Sequence, residues 1–201
     1  MDRKLIGIGV SILALIGLAA MLTFIFAKPP SFRGALYEEP FPSAPEFELT
    51  KSNGEVFRMS SQRGKIVLLF FGYTSCPDIC PTTLAEMTQV MNGLGDASKN
   101  VQVVFVSVDP ARDTPEKIQE YASRFNPTFI GLSGSEAELE PIWQSYSIFR
   151  AETETNSAMG VIIDHTARLN LIDADGNLRL SYAYGTPVED IIHDLELLLG
   201  K

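Results

Sequence analysis

The sequence predicts an α/β domain, a mixed parallel and antiparallel sheet flanked by helices and preceded by one N-terminal transmembrane helix. Three observations predict it. Short, continuously apolar runs alternate with amphipathic helical patterns, the mark of parallel βαβ units. An Asp-Gly pair between two apolar segments near the C-terminus signals an antiparallel hairpin. The first 27 residues hold a long uncharged stretch.

In chain order, Phe47, Leu49 and Val56 alternate around Asn53-Gly54, a short hairpin. Residues 66–71 are apolar without a break and read as a strand buried on both faces. A loop from Gly72 to Cys80 reaches Pro81, which suits the first helical position and makes Cys80 the expected N-cap; Leu84, Met87, Met91 and Leu94 follow at helical spacing. Residues 101–108 form a second buried strand. Thr114-Pro115-Glu116 opens a second helix with Ile118, Tyr121, Ala122 and Phe125 on one face. Residues 129–132 make a short third strand. Ser135 and Glu138 pair as a capping box before a helix carrying Leu139, Ile142, Trp143 and Tyr146. Val161, Ile162 and Ile163 lead into His165. Segments 169–172 and 178–182 pair across Asp175-Gly176. Thr186-Pro187-Val188-Glu189 starts the last helix, which carries Ile191, Ile192, Leu195 and Leu198 and ends at Gly200. The order hairpin, βαβαβα, hairpin, α fits a thioredoxin-like mixed sheet.

Composition narrows the function. Sixteen Lys and Arg against 25 Asp and Glu give a net charge of −9, which argues against a nucleic-acid partner, since phosphate contacts need clustered cations. An apolar fraction of 45% excludes a disordered chain. Two cysteines are too few for a disulfide-rich scaffold, and two histidines cannot build a His-rich metal site. Metal chemistry must therefore draw on Cys76, Cys80, His165 and His193, with carboxylates as helpers. Residues 5–27 are 23 positions without a charge, where a membrane-spanning helix needs about 20. Arg3 and Lys4 precede the run, and Lys28 and Arg33 follow it. A signal peptide competes, but its apolar core is shorter and no small-x-small cleavage site ends this run. The reading is an uncleaved single-pass anchor over residues 1–27, at the cell (inner) membrane, with the N-terminus inside and the domain facing the periplasm or cell exterior. Residues 28–44, with Pro29, Pro30, Pro40 and Pro42, read as a stiff tether. The folded domain is then 45–201.

Both cysteines lie in Cys76-Pro77-Asp78-Ile79-Cys80, a C-x-x-x-C between a core strand and a helix. Sites in open α/β sheets lie at such strand ends, and a helix N-terminus lowers a thiol's pKa. If the segment coils, positions four apart are neighbours, about 5–6 Å between Cβ atoms, within reach of a shared metal or a disulfide. If it is extended, the two Cα atoms stand about 13 Å apart and neither is accessible. A pure staple is a poor use of the pair, because cross-link stabilisation grows with loop length. His165, in Asp164-His165-Thr166, follows Cys80 by 85 positions; from the residues alone it is an ordinary loop or core histidine. His193 reads as a plain helix residue, and Met159 as packing. Asp78 reads as a turn residue or a charge tuning the site. Asp109 reads either as a turn carboxylate or as a group orienting the cysteine loop.

The segments Phe70–Met87 (FFGYTSCPDICPTTLAEM), Val104–Phe125 (VFVSVDPARDTPEKIQEYASRF) and Ile163–Gly185 (IDHTARLNLIDADGNLRLSYAYG) resemble the Sco/SenC family of membrane-anchored copper chaperones. The resemblance runs from about Phe47 to the C-terminus. It implies a thioredoxin-like fold and copper, Cu(I) or Cu(II), held by Cys76, Cys80 and His165. It implies as partners the exported copper-site domain of cytochrome c oxidase, whose binuclear site is loaded, and an upstream copper donor protein. Ser75 and Asn170 depart from the family pattern, at positions where a histidine and a tyrosine are frequent; neither is a ligand in that pattern. Soft thiolates select Cu(I) and imidazole also suits Cu(II), whereas zinc usually takes four protein ligands in a structural site. The alternative function is a thiol-disulfide reductase that keeps client cysteines reduced for metallation, with Cys76 and Cys80 as its catalytic pair. A peroxidase is the weaker third reading.

Overall fold

The computed structural model describes residues 16–17, 31–154 and 160–200. The expected anchor lies outside the described residues apart from Ile16 and Gly17, and so do residues 28–30 and Met159. Among the described residues no helix is long and apolar enough to cross a membrane.

Among the described residues of the unit 32–201, ten strands and four helices follow one another as β1 (Ala35–Leu36), β2 (Glu48–Thr50), β3 (Val56–Arg58), β4 (Ile66–Gly72), α1 (Ile79–Leu94), β5 (Val101–Ser107), α2 (Pro115–Phe125), β6 (Ile130–Leu132), α3 (Glu136–Ser145), β7 (Arg150–Glu154), β8 (Val161–His165), β9 (Arg168–Ile172), β10 (Leu178–Ala183) and α4 (Val188–Leu198). The six-stranded central sheet has the order β1-β10-β9-β4-β5-β6. β4, β5 and β6 are parallel, while β9 pairs antiparallel with β4 and β10 with β9. The mixed sheet is the expected one.

Every residue of β4 and β5 is buried, as their unbroken apolar runs require of strands covered on both faces. Successive side chains point to opposite faces. Phe70 stacks on Phe105, which meets Tyr121 of α2, while Phe71 packs against Tyr146 at the end of α3. The helices therefore cover both faces. Thr114 caps α2 by accepting from the Lys117 amide, and Ser135 and Glu138 form the expected capping box of α3.

Two segments depart from expectation. The chain enters the sheet well before Pro45. β1 pairs with β10 as an edge strand of the sheet, Leu178 N–H donates to the Pro42 carbonyl, and the carboxylate of Asp194 accepts from the Arg33 and Gly34 amides at 2.8–3.1 Å. Prolines that stiffen a free linker equally suit a segment laid along a sheet edge. The run into His165 is also more than a lead-in. β8 pairs with β7 as a two-stranded ribbon outside the central sheet.

Candidate metal centre

β4 ends at Gly72, where a Cβ would lie 2.7 Å from the Cys80 sulfur and 2.8 Å from the Phe105 ring; only glycine leaves that room. The chain turns at once, the Cys76 amide donating to the Tyr73 carbonyl at 3.3 Å. α1 begins at Ile79, with Asp78 at the N-cap, so Cys80 lies inside the first turn rather than at its cap. The Asp78 side chain makes no capping bond. The Cys76 sulfur takes that place, accepting the Cys80 amide at 3.4 Å. A helix N-terminus supplies unpaired amides and a partial positive charge, both of which favour a thiolate.

The two sulfurs are free thiols in unlike settings. Cys80 is fully buried and Cys76 half-buried. The hydrogen bond from the Cys80 thiol, then the His165 imidazole and the Asp78 and Cys80 amides, pull the Cys76 pKa down to about 4 against the cost of burial. Donating that bond, being buried and facing the Cys76 charge push Cys80 far upward. The pair shares one charge, and it rests on the more exposed sulfur.

His165 ends β8 with its Nε2 3.8 Å from the Cys80 sulfur. Its Nδ1 lies 3.2 Å from the Thr166 carbonyl. A carbonyl only accepts, so Nδ1 is the nitrogen that donates there, and Nε2 is the one that faces the sulfurs. The ring stands edge-on to Phe70 and Tyr73, with centroids 6.5 and 5.9 Å away. An open cleft of about 230 Å³ borders Cys76 and His165, lined also by Pro77, Ile79 and Ile162.

The structure thus brings Cys76, Cys80 and His165 to one place. They are not a finished cage: among the described residues no group of three or more His, Cys, Asp or Glu stands arranged around a metal position. The donor set nevertheless fits a soft or borderline ion. Bonds of about 2.3 Å to sulfur and 2.0 Å to nitrogen, opened to a trigonal angle, set the donors about 3.7 Å apart, close to the 3.8 Å between Cys80 and His165. His193 lies on α4 and is not among the residues lining the cleft, and Asp78 is exposed at its rim.

Asp109 holds neither cysteine. Buried, it pairs with Nε of Arg112 and receives that residue's amide. The carboxylate that orients the cysteine loop is Asp113, 1% exposed, which accepts from the amide of Thr74 at 3.0 Å, its hydroxyl at 2.5 Å and the Ser107 hydroxyl at 2.9 Å. Sequence reasoning missed Asp113, Arg112 and Tyr73. The signal present was a second carboxylate four positions after Asp109 in the loop leaving a core strand.

The SCO1/SenC family model matches residues 37–200. An SCO2-like protein of Rickettsia felis is 34% identical over 195 residues, spanning 94% of this chain and 95% of its own. Among solved structures, copper-bound ScoI of Bradyrhizobium japonicum aligns with a TM-score of 0.70 at 37% identity, covering 78% of this chain and 99% of that one. Apo Sco1 of Thermus thermophilus aligns with a TM-score of 0.74 at 37% identity, covering 84% and 97%.

Proposed function

This chain belongs to the SCO1/SenC family, and from that premise we propose that it is a copper chaperone that receives copper from an upstream donor, holds it through Cys76, Cys80 and His165, and loads the binuclear copper site of cytochrome c oxidase. The observation that carries the reading is His165. A histidine 85 positions from Cys80 arrives with its Nε2 3.8 Å from that sulfur.

Copper is the cargo, and each donor contributes differently. Cys76, already ionised and bordering the cleft, is the first sulfur an incoming ion meets. Cys80 gives up its proton as the ion enters, so loading releases acid. Two thiolates satisfy Cu(I), and the imidazole adds the harder donor that Cu(II) requires. Cys76 is also the donor that a client's ligand reaches first, which makes stepwise ligand exchange the route of delivery. The uncharged run 5–27 serves as the membrane anchor in this reading, with the copper domain outside the cytoplasm.

The contrast between the thiols also favours a second reading, a thiol-disulfide reductase. The Cys76 thiolate attacks a client disulfide and displaces one client thiolate. The Cys80 sulfur, losing its proton, then attacks the mixed disulfide, releasing the second client thiolate and leaving a Cys76–Cys80 disulfide.

His165→Ala separates the two. In metal-free, reduced protein purified without oxygen, the variant should lose Cu(II) affinity by more than the about 10–100-fold typical of removing a metal site's outer partner. Cu(I) affinity should fall less, and disulfide formation between Cys76 and Cys80 should persist. Unchanged Cu(II) affinity would overturn the three-ligand site. Oxidase assembly that survives the variant in cells would favour the reductase.

A further inference from the structure

We propose that Tyr73, Arg112 and Asp109 form a bracket that positions His165, so that side chains from the cysteine side of the fold, and not sheet pairing, set where the imidazole meets the metal. The proposal rests on the copper-chaperone reading and names three positioning residues for it.

β8 belongs to the ribbon with β7 and has no partner in the central sheet. Alternate backbone groups of a strand point to opposite edges. On the edge turned away from β7, two contacts two residues apart tie β8 down. The Val161 carbonyl accepts from Nη1 of Arg112 at 2.8 Å, and the Ile163 amide donates to the Tyr73 hydroxyl at 3.3 Å. His165 is the next residue along that edge.

The other end of one contact leads to the cysteine loop, and that of the other to the loop after β5. Tyr73 is the first residue after β4, and its carbonyl receives the Cys76 amide. One side chain thus holds the histidine strand while its own backbone holds the thiolate turn. The Tyr73 ring lies edge-on to His165 and under the Arg112 guanidinium, 5.6 Å from its centroid. Arg112 in turn is fixed by buried Asp109. The charged fork spans a carboxylate and a carbonyl at once, a geometry that lysine cannot copy. β7 has its own tie, Arg150 Nε donating to the Val108 carbonyl at 2.6 Å, so the ribbon stays attached when the bracket is cut.

The test uses Tyr73→Phe, Arg112→Gln and the gentler Arg112→Lys, with Cu(II) and Cu(I) ions as probes in competition with chelators. Each variant should lose about tenfold in Cu(II) affinity and less than about threefold in Cu(I), because only the imidazole is misplaced. The nitrogen couplings of the Cu(II) electron paramagnetic resonance spectrum should change. Adding Tyr73→Phe to His165→Ala should cost nothing further, since a positioning residue has no effect once its target is gone. Equal losses for the two oxidation states, or the full loss repeated without His165, would overturn the bracket. If the wild-type protein binds neither ion, the chaperone reading fails and the bracket is judged in metal-free protein. There, Tyr73→Phe should speed exchange of the Ile163 amide and shift the His165 ring resonances. Unchanged resonances and exchange would overturn it.

Discussion

Two thiols four residues apart are driven to opposite protonation states because one lies before the helix and the other inside its first turn. Cys76 sits where the Cys80 thiol, then the His165 imidazole and the amides of Asp78 and Cys80, all point at it, and its pKa falls to about 4. Cys80 faces the space that Gly72 leaves under it and stays protonated. The sign of the consequence is direct. A depressed pKa keeps Cys76 ionised as acid is added, until the pH approaches that value. Its alkylation rate with iodoacetamide should be flat between about pH 5.5 and 8, where an ordinary thiol of pKa about 8.5 slows about tenfold per unit. Cys80→Ala removes the largest cause and should move the midpoint up. Mass spectrometry of the reduced, metal-free protein measures both. A Cys76 rate that falls tenfold per unit from pH 8 downward (about the behaviour of a free thiol) would show that the fold does not hold a thiolate.

The loop leaving β5 is the element that orders the centre, through two carboxylates with divided work. Asp113 secures Thr74 and with it the start of the cysteine loop; Asp109 secures Arg112 and with it β8. Asp113→Ala leaves the Thr74 amide and two hydroxyls without their acceptor in a buried place. It should destabilise the domain by about 2–4 kcal/mol in urea unfolding. A loss under about 0.5 kcal/mol, the usual size of an inconsequential surface change, would show that the loop is held otherwise. These elements differ in how far the sequence reveals them. β4, β5 and the two cysteines declare themselves locally, through unbroken apolar runs and a spacing that one helical turn converts into contact. β7 hides because Arg150, Glu152 and Glu154 carry no apolar alternation; the strand is half-exposed or exposed throughout. β1 hides because two residues make no period at all. His165 carries no signal of its neighbours, since its approach to Cys80 crosses 85 positions, and only the family resemblance singled it out. Tyr73 and Arg112 are silent for the same reason: a hydroxyl meeting an amide 90 positions away leaves no pattern in either segment.

The whole domain is closed by its own N-terminal segment. Asp194, 0% exposed on α4, gathers the Arg33 and Gly34 amides and the Tyr182 hydroxyl. Such a buried carboxylate is stable only when its oxygens are this fully bonded. Arg179 lies over the rings of Phe32 and Phe41, and β1 covers the edge of β10 that would otherwise offer unpaired backbone to other chains. The chain from Phe32 onward is therefore domain, and the proposed anchor precedes it. The chain beyond residue 27 is strongly acidic: removing residues 1–27 takes away Arg3, Lys4 and Asp2, leaving 14 basic and 24 acidic residues, a net of −10. A net charge of −10 repels anionic lipid more than it attracts it. In the proposed reading, membrane attachment rests on residues 5–27, whose length suits a span of about 20 residues. The full chain should stay with membranes through alkaline carbonate washing, and a chain starting at residue 31 should be released. Protease added to intact spheroplasts should digest the domain, because a short N-terminal tail with Arg3 and Lys4 stays inside more readily than it crosses. Protection of the domain until the spheroplasts are lysed would reverse the orientation. Release of the full chain by carbonate would remove the anchor altogether, and with it the requirement that copper be delivered from the membrane surface.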